Sequence, residues 1–508
     1  MSEDTHRLTI EPQDASNQKL VENVHPSDWQ NPTPKDRYHL VVLGGGTAGL
    51  VSAAGAAGLG ARVALVEKHF LGGDCLNFGC VPSKAVIRAA RAWHEASHGE
   101  EFGAPRSDND GDFAAVMARM RRLRADISGH DSAQRFSDLG VDVFLGEGKF
   151  VASDALEIGG ERLEFRRAVI ATGGRAFVPP IPGLQEAGFL TNENVFSLTH
   201  RPASLVVIGG GPIGCELAQS FARFGTSVTL VDMAPQILPR EDPDAAKVVD
   251  TSLHRDGVSF VLSAKVIRVE ATETSKVVVV EVDGQEKRLE AEEILLSVGR
   301  AANVKGLGLE AAGVKFDRKG VSVDATLRTS NDRIFAAGDV ASRYQFTHTA
   351  DAMARIVLRN ALFPFGRKRS TDLVIPWCTF TSPEIAHVGL YEHEAQERGQ
   401  QVDTLTLPLG DNDRALLDGE TEGFLRLHLA KGSDRILGAT LVAEHAGEMI
   451  SEITLAITQG IGLGKIASTI HPYPTQSEIF KRAADTWFRT KLTPTKKRWL
   501  ERYFSFQR

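Results

Sequence analysis

The chain has 508 residues, 42% of them hydrophobic, with 48 glycines and a formal net charge of −7. That length calls for several domains, and the acidic balance leaves no basic face for nucleic acid. Only four cysteines occur, which points to a reducing compartment where a disulfide is catalytic rather than structural.

Residues 1–37 are polar and hold no apolar core of a signal peptide, so a cytoplasmic protein without a membrane span is expected. Prolines at 12, 26, 32 and 34 make this stretch read as an extended N-terminal arm of low helix content. Leu20, Val21, Val24 and Trp29 are apolar anchors that would lay it across the body of the protein. Tyr38 to Leu43 is then an apolar strand. Gly44-Gly45-Gly46-Thr47-Ala48-Gly49 opens a helix, and the next strand, Arg62 to Val66, ends at Glu67. Strand, glycine turn, helix, strand and acid is a dinucleotide-binding unit. Gly44, Gly46 and Gly49 permit the tight turn and close backbone approach, the helix N-terminus faces a pyrophosphate, and Glu67 accepts from a ribose hydroxyl. The uncharged run Leu40 to Ala61 is long enough to suggest a membrane span, but its glycines and its split into strand and helix argue against one.

Cys75 and Cys80 follow, in Gly72-Gly73-Asp74-Cys75-Leu76-Asn77-Phe78-Gly79-Cys80-Val81-Pro82-Ser83-Lys84. Five residues apart in a regular helix, two Cα atoms lie roughly 8–9 Å from one another, beyond the ~7 Å a disulfide tolerates. If the two pair, the segment is not regular helix, and Asn77 and Gly79 are the residues that let it bend. Cys80 would begin a helix running from about Val81 to Ser97, where the helix end and Lys84 favour a thiolate. The segment reads as a redox dithiol with one activated member. The bland alternatives are two buried structural cysteines or half of a metal site, but zinc normally takes four ligands and no second Cys/His pair at metal spacing exists, so no metal site is assigned. Cys215 and Cys378 are isolated and read as packed small residues.

The dinucleotide unit recurs. Leu205 to Ile208 is a strand, Gly209-Gly210-Gly211-Pro212-Ile213-Gly214 a turn, and Ser227 to Val231 ends at Asp232. Two such units imply two dinucleotides, the alternative being an empty second copy.

Together the cysteine segment and the two glycine units resemble the class I pyridine nucleotide-disulfide oxidoreductases, which include glutathione reductase, dihydrolipoamide dehydrogenase and mercuric reductase. The resemblance covers almost the whole chain after residue 37 and implies FAD on the first unit and a nicotinamide cofactor on the second. Thr172 and Gly173 then match the strand that returns to the FAD domain, Gly299-Arg300 the exit from the nicotinamide domain, and Gly338-Asp339 the second FAD motif, whose Asp bonds the ribityl or pyrophosphate region. A carboxylate at Asp232 pairs with a free 2′-hydroxyl and repels a 2′-phosphate, and the next basic residue is Arg240, so NADH is expected over NADPH. The resemblance further implies that the flavin reduces a Cys75–Cys80 disulfide through Cys80, that Cys75 is the interchange thiol, and that Lys84 stabilises negative charge on the flavin.

One departure bears on the substrate. In the disulfide reductases a His-x-His-Pro-Thr-x-x-Glu run supplies the acid/base. Here the run is His471-Pro472-Tyr473-Pro474-Thr475-Gln476-Ser477-Glu478, with Tyr473 at the catalytic His position and His471 and Glu478 matching the first His and the Glu. An unperturbed Tyr, with a pKa near ~10, is poorly matched to protonating a thiol at neutral pH. Mercuric reductases have Tyr there, although this chain lacks their cysteine pair near the C-terminus.

The expected fold is α/β: two Rossmann-type domains, for FAD (38–180 and 301–366) and NAD (181–300), then an α+β dimerisation domain (370–490) and a tail (491–508). A homodimer is expected, with Tyr473 and Glu478 reaching the partner's Cys75 and the partner's Cys80. The expected activity is a mercuric reductase-like transfer of electrons to a soft metal ion or other small acceptor. The alternatives are a reductase of small disulfides with His471 as base, and a flavin-bound redox sensor that does not turn over.

Overall fold

The computed structural model describes residues 9–105 and 111–507. By internal packing the chain divides into two units, residues 1–235 with 256–373, and residues 236–255 with 374–508.

The first unit is built on a mixed sheet, parallel at its centre and antiparallel at one edge, and on a second, parallel sheet. Strands β1 (Tyr38–Leu43), β2 (Val63–Glu67), β3 (Val141–Leu145), β4 (Gly148–Ala152), β5 (Ala155–Ile158) and β6 (Glu161–Ile170) form a sheet in the order β3-β2-β1-β6-β5-β4, and Ile334–Ala336 adds to β6. The β1 and β2 runs, and the last three residues of β6, Ala168 to Ile170, are almost continuously apolar because both faces of the sheet are buried there. Leu40 and Val42 pack into one core and Val41 into another. The second sheet is parallel, in the order 259–261, 227–231, 204–208, 293–296, and is followed by a three-stranded antiparallel sheet over 265–291. The run Leu40 to Ala61 divides into β1 and helix α2 (Thr47–Gly58). Among the described residues, no helix is long and apolar enough to cross a membrane.

The second unit carries a five-stranded antiparallel sheet in the order 376–379, 384–389, 436–443, 424–430, 402–408. Helices Ala446–Gln459 and Glu478–Lys491 pack their apolar faces into its core through Ile450, Ile453, Ile479 and Phe480.

The arm is not extended: Ala15–Val24 forms helix α1. Asp14 caps it, accepting from the Asn17 N–H at 2.9 Å, and no proline interrupts the segment between 12 and 26. Leu20 and Val24, one turn apart, are fully buried. The capping aspartate outweighed the flanking prolines, whose spacing leaves room for three turns. The anchors act as expected, Trp29 donating to the Val143 carbonyl at 3.1 Å. The helix is tied inward by α5 (Phe113–Ser128), whose buried Arg124 donates to Asn17 Oδ1 at 2.7 Å and to the Asn77 carbonyl at 2.6 Å.

Between β2 and α5 lie a short helix, α3 (Gly73–Asn77), and a long one, α4 (Cys80–Ser97). α3 is seated directly on the first glycine turn. The Gly72 N–H donates to the Gly45 carbonyl at 2.9 Å, and Gly73, at φ +58°, lies so close that a Cβ there would meet Gly46 Cα at 2.6 Å. Gly73→Ala should therefore destabilise the protein by about 2 kcal/mol or more, combining left-handed backbone strain with a clash against backbone. Gly58→Ala, with nothing within 4 Å, should be neutral or slightly stabilising. Denaturant midpoints of the two variants check this.

Candidate active site

The two glycine turns share one geometry. Gly44 and Gly209 leave their strands at φ +109° and +111°. Gly46 and Gly211 cap α2 and the helix Pro212–Arg223 without a side-chain bond, so the first-turn N–H groups face outward as anion donors. A Cβ on Gly49 would fall 1.8 Å from the Gly44 carbonyl oxygen, and one on Gly214 2.0 Å from that of Gly209. Glu67 accepts from the Gly45 and His69 N–H groups, both at 2.6 Å, and burial raises its carboxyl pKa. Asp232 accepts from Gly210 at 2.5 Å and Ala234 at 2.7 Å. Both acids are thus fixed at the rim of an uncapped helix end, an arrangement that fits the ribose and pyrophosphate of a dinucleotide.

The remaining predicted FAD residues gather around the first turn. Ala171 donates to the Leu43 carbonyl at 2.7 Å, which brings Thr172 and Gly173 beside Gly44. Thr172 and Asn303 exchange hydrogen bonds at 2.8 and 2.9 Å. Gly338 faces α2, with Ala48 Cβ at 3.4 Å from a Cβ built there. Asp339 follows it, and burial raises its pKa. Gly299 turns at φ +121°, accepting from the Phe177 N–H at 3.0 Å, and the next residue closes the site. Arg300 pairs with Asp339 at 3.3 Å and with Asp74 at 3.2 Å, linking the second FAD motif to the cysteine segment.

That segment bends at Phe78 and Gly79, where φ is −140° and −129°. Asn77 is not part of the hinge: it is buried at the end of α3, and its amide holds the Leu71 and Gly73 carbonyls at 3.0 and 2.8 Å. The interruption lets Cys75 and Cys80, both free thiols here, hydrogen-bond to one another. Cys80 is the first residue of α4. Its pKa is lowered to about 6, first by the hydrogen bond from Cys75, then by Thr347 and by the charge of Lys84. The same pairing raises Cys75. The proton therefore stays on Cys75 and the charge on Cys80. Thr347 Oγ1 stands 3.4 Å from Cys80 Sγ, at the start of the helix Thr347–Leu362. Lys84, one turn into α4, pairs at 2.8 Å with the buried Glu216 on the Pro212–Arg223 helix. Farther along, Trp93 meets Phe224 edge-on at 5.0 Å. The helix that begins with Cys80 thus lies along the helix of the second dinucleotide unit.

In the second unit of the chain, the Tyr473 hydroxyl donates to the Asp413 carboxylate at 2.9 Å. That bond raises the phenol's pKa further, with Glu478 adding a smaller repulsion. The ring is 69% exposed. His471 differs: its side chain is 6% exposed, Nε2 faces Glu452 at 3.1 Å and Nδ1 faces the Thr469 carbonyl at 3.2 Å. Glu478 begins the Glu478–Lys491 helix. Among the described residues no cluster of three His, Cys, Asp or Glu is placed to hold a metal ion.

Thr347, Glu216 and Asp74 were not singled out from sequence. Thr347 and Glu216 stand 267 and 132 residues from their partners, a separation that no local pattern spans. Asp74 could have been noticed as the acid adjoining Cys75.

Comparison with known proteins adds the following. Residues 38–354 match the family model described as pyridine nucleotide-disulphide oxidoreductase, and residues 375–484 match its dimerisation domain. A mercuric reductase of Bacillus cereus is 37% identical over 451 residues, 89% of this chain and 71% of that protein. A dihydrolipoyl dehydrogenase of Geobacillus stearothermophilus is 35% identical over 88% of this chain and 95% of its own length. Among solved structures, the Cu(II) complex of the HOCl-induced flavoprotein disulfide reductase RclA from Escherichia coli superposes with a TM-score of 0.79 at 29% identity, over 89% of this chain and all of that one.

The thiol pair yields a direct titration. In the reduced protein the ultraviolet thiolate absorbance should develop with a midpoint near pH 6 and be lost as pH falls below it. It should vanish in Cys80→Ser and move to higher pH in Thr347→Val, which removes one donor to the sulfur.

Proposed function

The chain belongs to the pyridine nucleotide-disulphide oxidoreductase family of flavoprotein enzymes, and from that premise we propose that it uses NADH to reduce a soft metal ion, Hg(II) or Cu(II), rather than a small disulfide. FAD is assigned to residues 38–180 and 301–366, and the nicotinamide to 181–300. Bound FAD would supply the two-electron link between the nicotinamide and the cysteine pair. Gly44 to Gly49, Glu67, Thr172, Gly173, Gly338 and Asp339 would hold it. Cys80 carries the thiolate facing the relay, Cys75 keeps the proton and meets the acceptor, and the Lys84–Glu216 pair fixes a cation one turn from the thiolate.

The observation that carries the choice of acceptor is the Tyr473–Asp413 bond. Cleaving a disulfide needs a proton for the departing thiolate, and a phenol pushed upward by a carboxylate is a poor donor at neutral pH. A soft cation held by two sulfurs has no such requirement. His471 is a weak substitute, since its ring is enclosed and both nitrogens already face oxygens. The names of the relatives include both kinds of acceptor, mercuric reductase and a Cu(II) complex on one side and dihydrolipoyl dehydrogenase and disulfide reductase on the other, so the choice rests on Tyr473. In the homodimer, the partner's Tyr473 and the partner's Glu478 would face the thiol pair of the first subunit.

Steady-state turnover tests this. The protein should oxidise NADH with Hg(II) or Cu(II) much faster than with lipoamide or glutathione disulfide, and Cys75→Ala should reduce metal turnover to background. Tyr473→His should raise disulfide turnover at least about tenfold, a part of the 10²–10⁴ that a fully positioned acid/base supplies. Full disulfide turnover by the unaltered protein, lost in His471→Ala, would overturn the proposal. Asp232→Ser should lower the NADH-to-NADPH preference in kcat/KM roughly ten- to a hundredfold, the worth of a charged hydrogen bond to the ribose.

A further inference from the structure

The last helix, Pro494–Phe506, begins with Thr493 capping the Lys496 N–H and Pro494 in the first turn. None of its side chains is buried. Each other described helix of ten residues or more buries at least three. Its sequence is nevertheless two-faced. At 100° per residue, Trp499, Leu500, Tyr503, Phe504 and Phe506 share an arc of about 160°, with Lys496 at its N-terminal end. Lys497, Arg498, Glu501 and Arg502 occupy the other side, and Lys497 and Arg502 border the apolar face. Trp499 and Tyr503 stack at 6.0 Å along that face. Trp499 is 67% exposed, Phe504 56% and Phe506 92%.

Charge identifies the occupant. Residues 491–508 hold six Lys or Arg against one Glu, in a chain whose formal net charge is −7. A symmetric contact with the same helix of a second copy would set two cationic segments against each other. Thirteen helical residues extend about 20 Å, too short to cross a bilayer but suited to lying in its surface. Exposed indole, phenol and phenyl rings beside cationic side chains are the features of an interfacial helix.

We propose that the Pro494–Phe506 helix docks the protein on an anionic lipid bilayer. The helix lies flat, with Trp499, Tyr503, Phe504 and Phe506 in the interfacial layer and Lys497, Arg498 and Arg502 extending to the phosphates. This places the reductase at a lipid surface and is independent of which acceptor it uses.

The test is co-sedimentation of the full-length, flavin-loaded protein with vesicles of phosphatidylcholine alone or containing a third of phosphatidylglycerol. The protein should pellet with the anionic vesicles only, and less as salt is raised. Lys497→Glu and Arg502→Glu should each weaken partitioning about fivefold or more. Trp499→Ala combined with Phe506→Ala should abolish it, leaving flavin content and turnover intact. No preference for anionic vesicles, or undiminished binding by the Trp499/Phe506 double variant, would overturn the proposal. So would a vesicle-inert protein whose dimer falls apart in that double variant, which would assign the face to a second copy.

Discussion

The structure depends on the contact between two glycine turns. Gly72 and Gly73 sit on Gly45 and Gly46 with backbone against backbone, so the segment bearing Cys75 has one position relative to the first dinucleotide turn. Side chains at these points would separate the thiol pair from the cofactor turn. The bend at Phe78 and Gly79 then delivers Cys80 to the N-terminus of α4, where it receives a hydrogen bond from Cys75 and the field of Lys84. Burial alone would raise both thiols. The asymmetry between them comes from which is the donor and from the cation one turn away. Arg300 joins this arrangement to Asp339 and Asp74, and α4 carries it to the helix of the second glycine turn through Glu216. A dithiol, two dinucleotide turns and the ion pairs between them form one connected framework.

Much of this was legible in the sequence because glycine encodes backbone geometry locally. Gly44 to Glu67 and Gly209 to Asp232 give the turn, the helix approach and the terminal acid at a fixed spacing, and the two folded turns match to within a few degrees and tenths of an ångström. The start of α4 was legible within one residue, the helix expected from about Val81 beginning at Cys80 itself. Asn77 was misread as a hinge because its side chain bonds back to two carbonyls across the turn, a tertiary arrangement that its residue type does not announce. The arm is the opposite case: a local signal, Asp14 ahead of Leu20 and Val24, specifies the helix, and the prolines at 12 and 26 only bound it. Thr347 and Glu216 were out of reach, since their roles exist only after distant segments fold together.

Tyr473 shows how a substitution read from sequence acquires physical content. By type alone a phenol is a poor acid near neutrality, but a protein can lower its pKa. Here the neighbour is Asp413, which moves the phenol the other way. The histidine two residues earlier is turned toward Glu452 and enclosed. Under the proposed reading, in which the partner's Tyr473 serves the thiol pair, proton supply would be weak and thiolate supply strong, the balance on which the choice of a cation as acceptor rests.

The central claim is that nicotinamide, flavin and the Cys75–Cys80 pair form one relay with its thiolate on Cys80. Stepwise anaerobic addition of NADH to the oxidised protein, followed in the visible spectrum, tests it most directly. The account predicts that two electrons produce a broad long-wavelength band while much of the flavin absorbance remains, and that Cys80→Ser abolishes the band. Simple bleaching of the flavin at two electrons in the unaltered protein would contradict it, because the dithiol would then lie outside the path of the electrons.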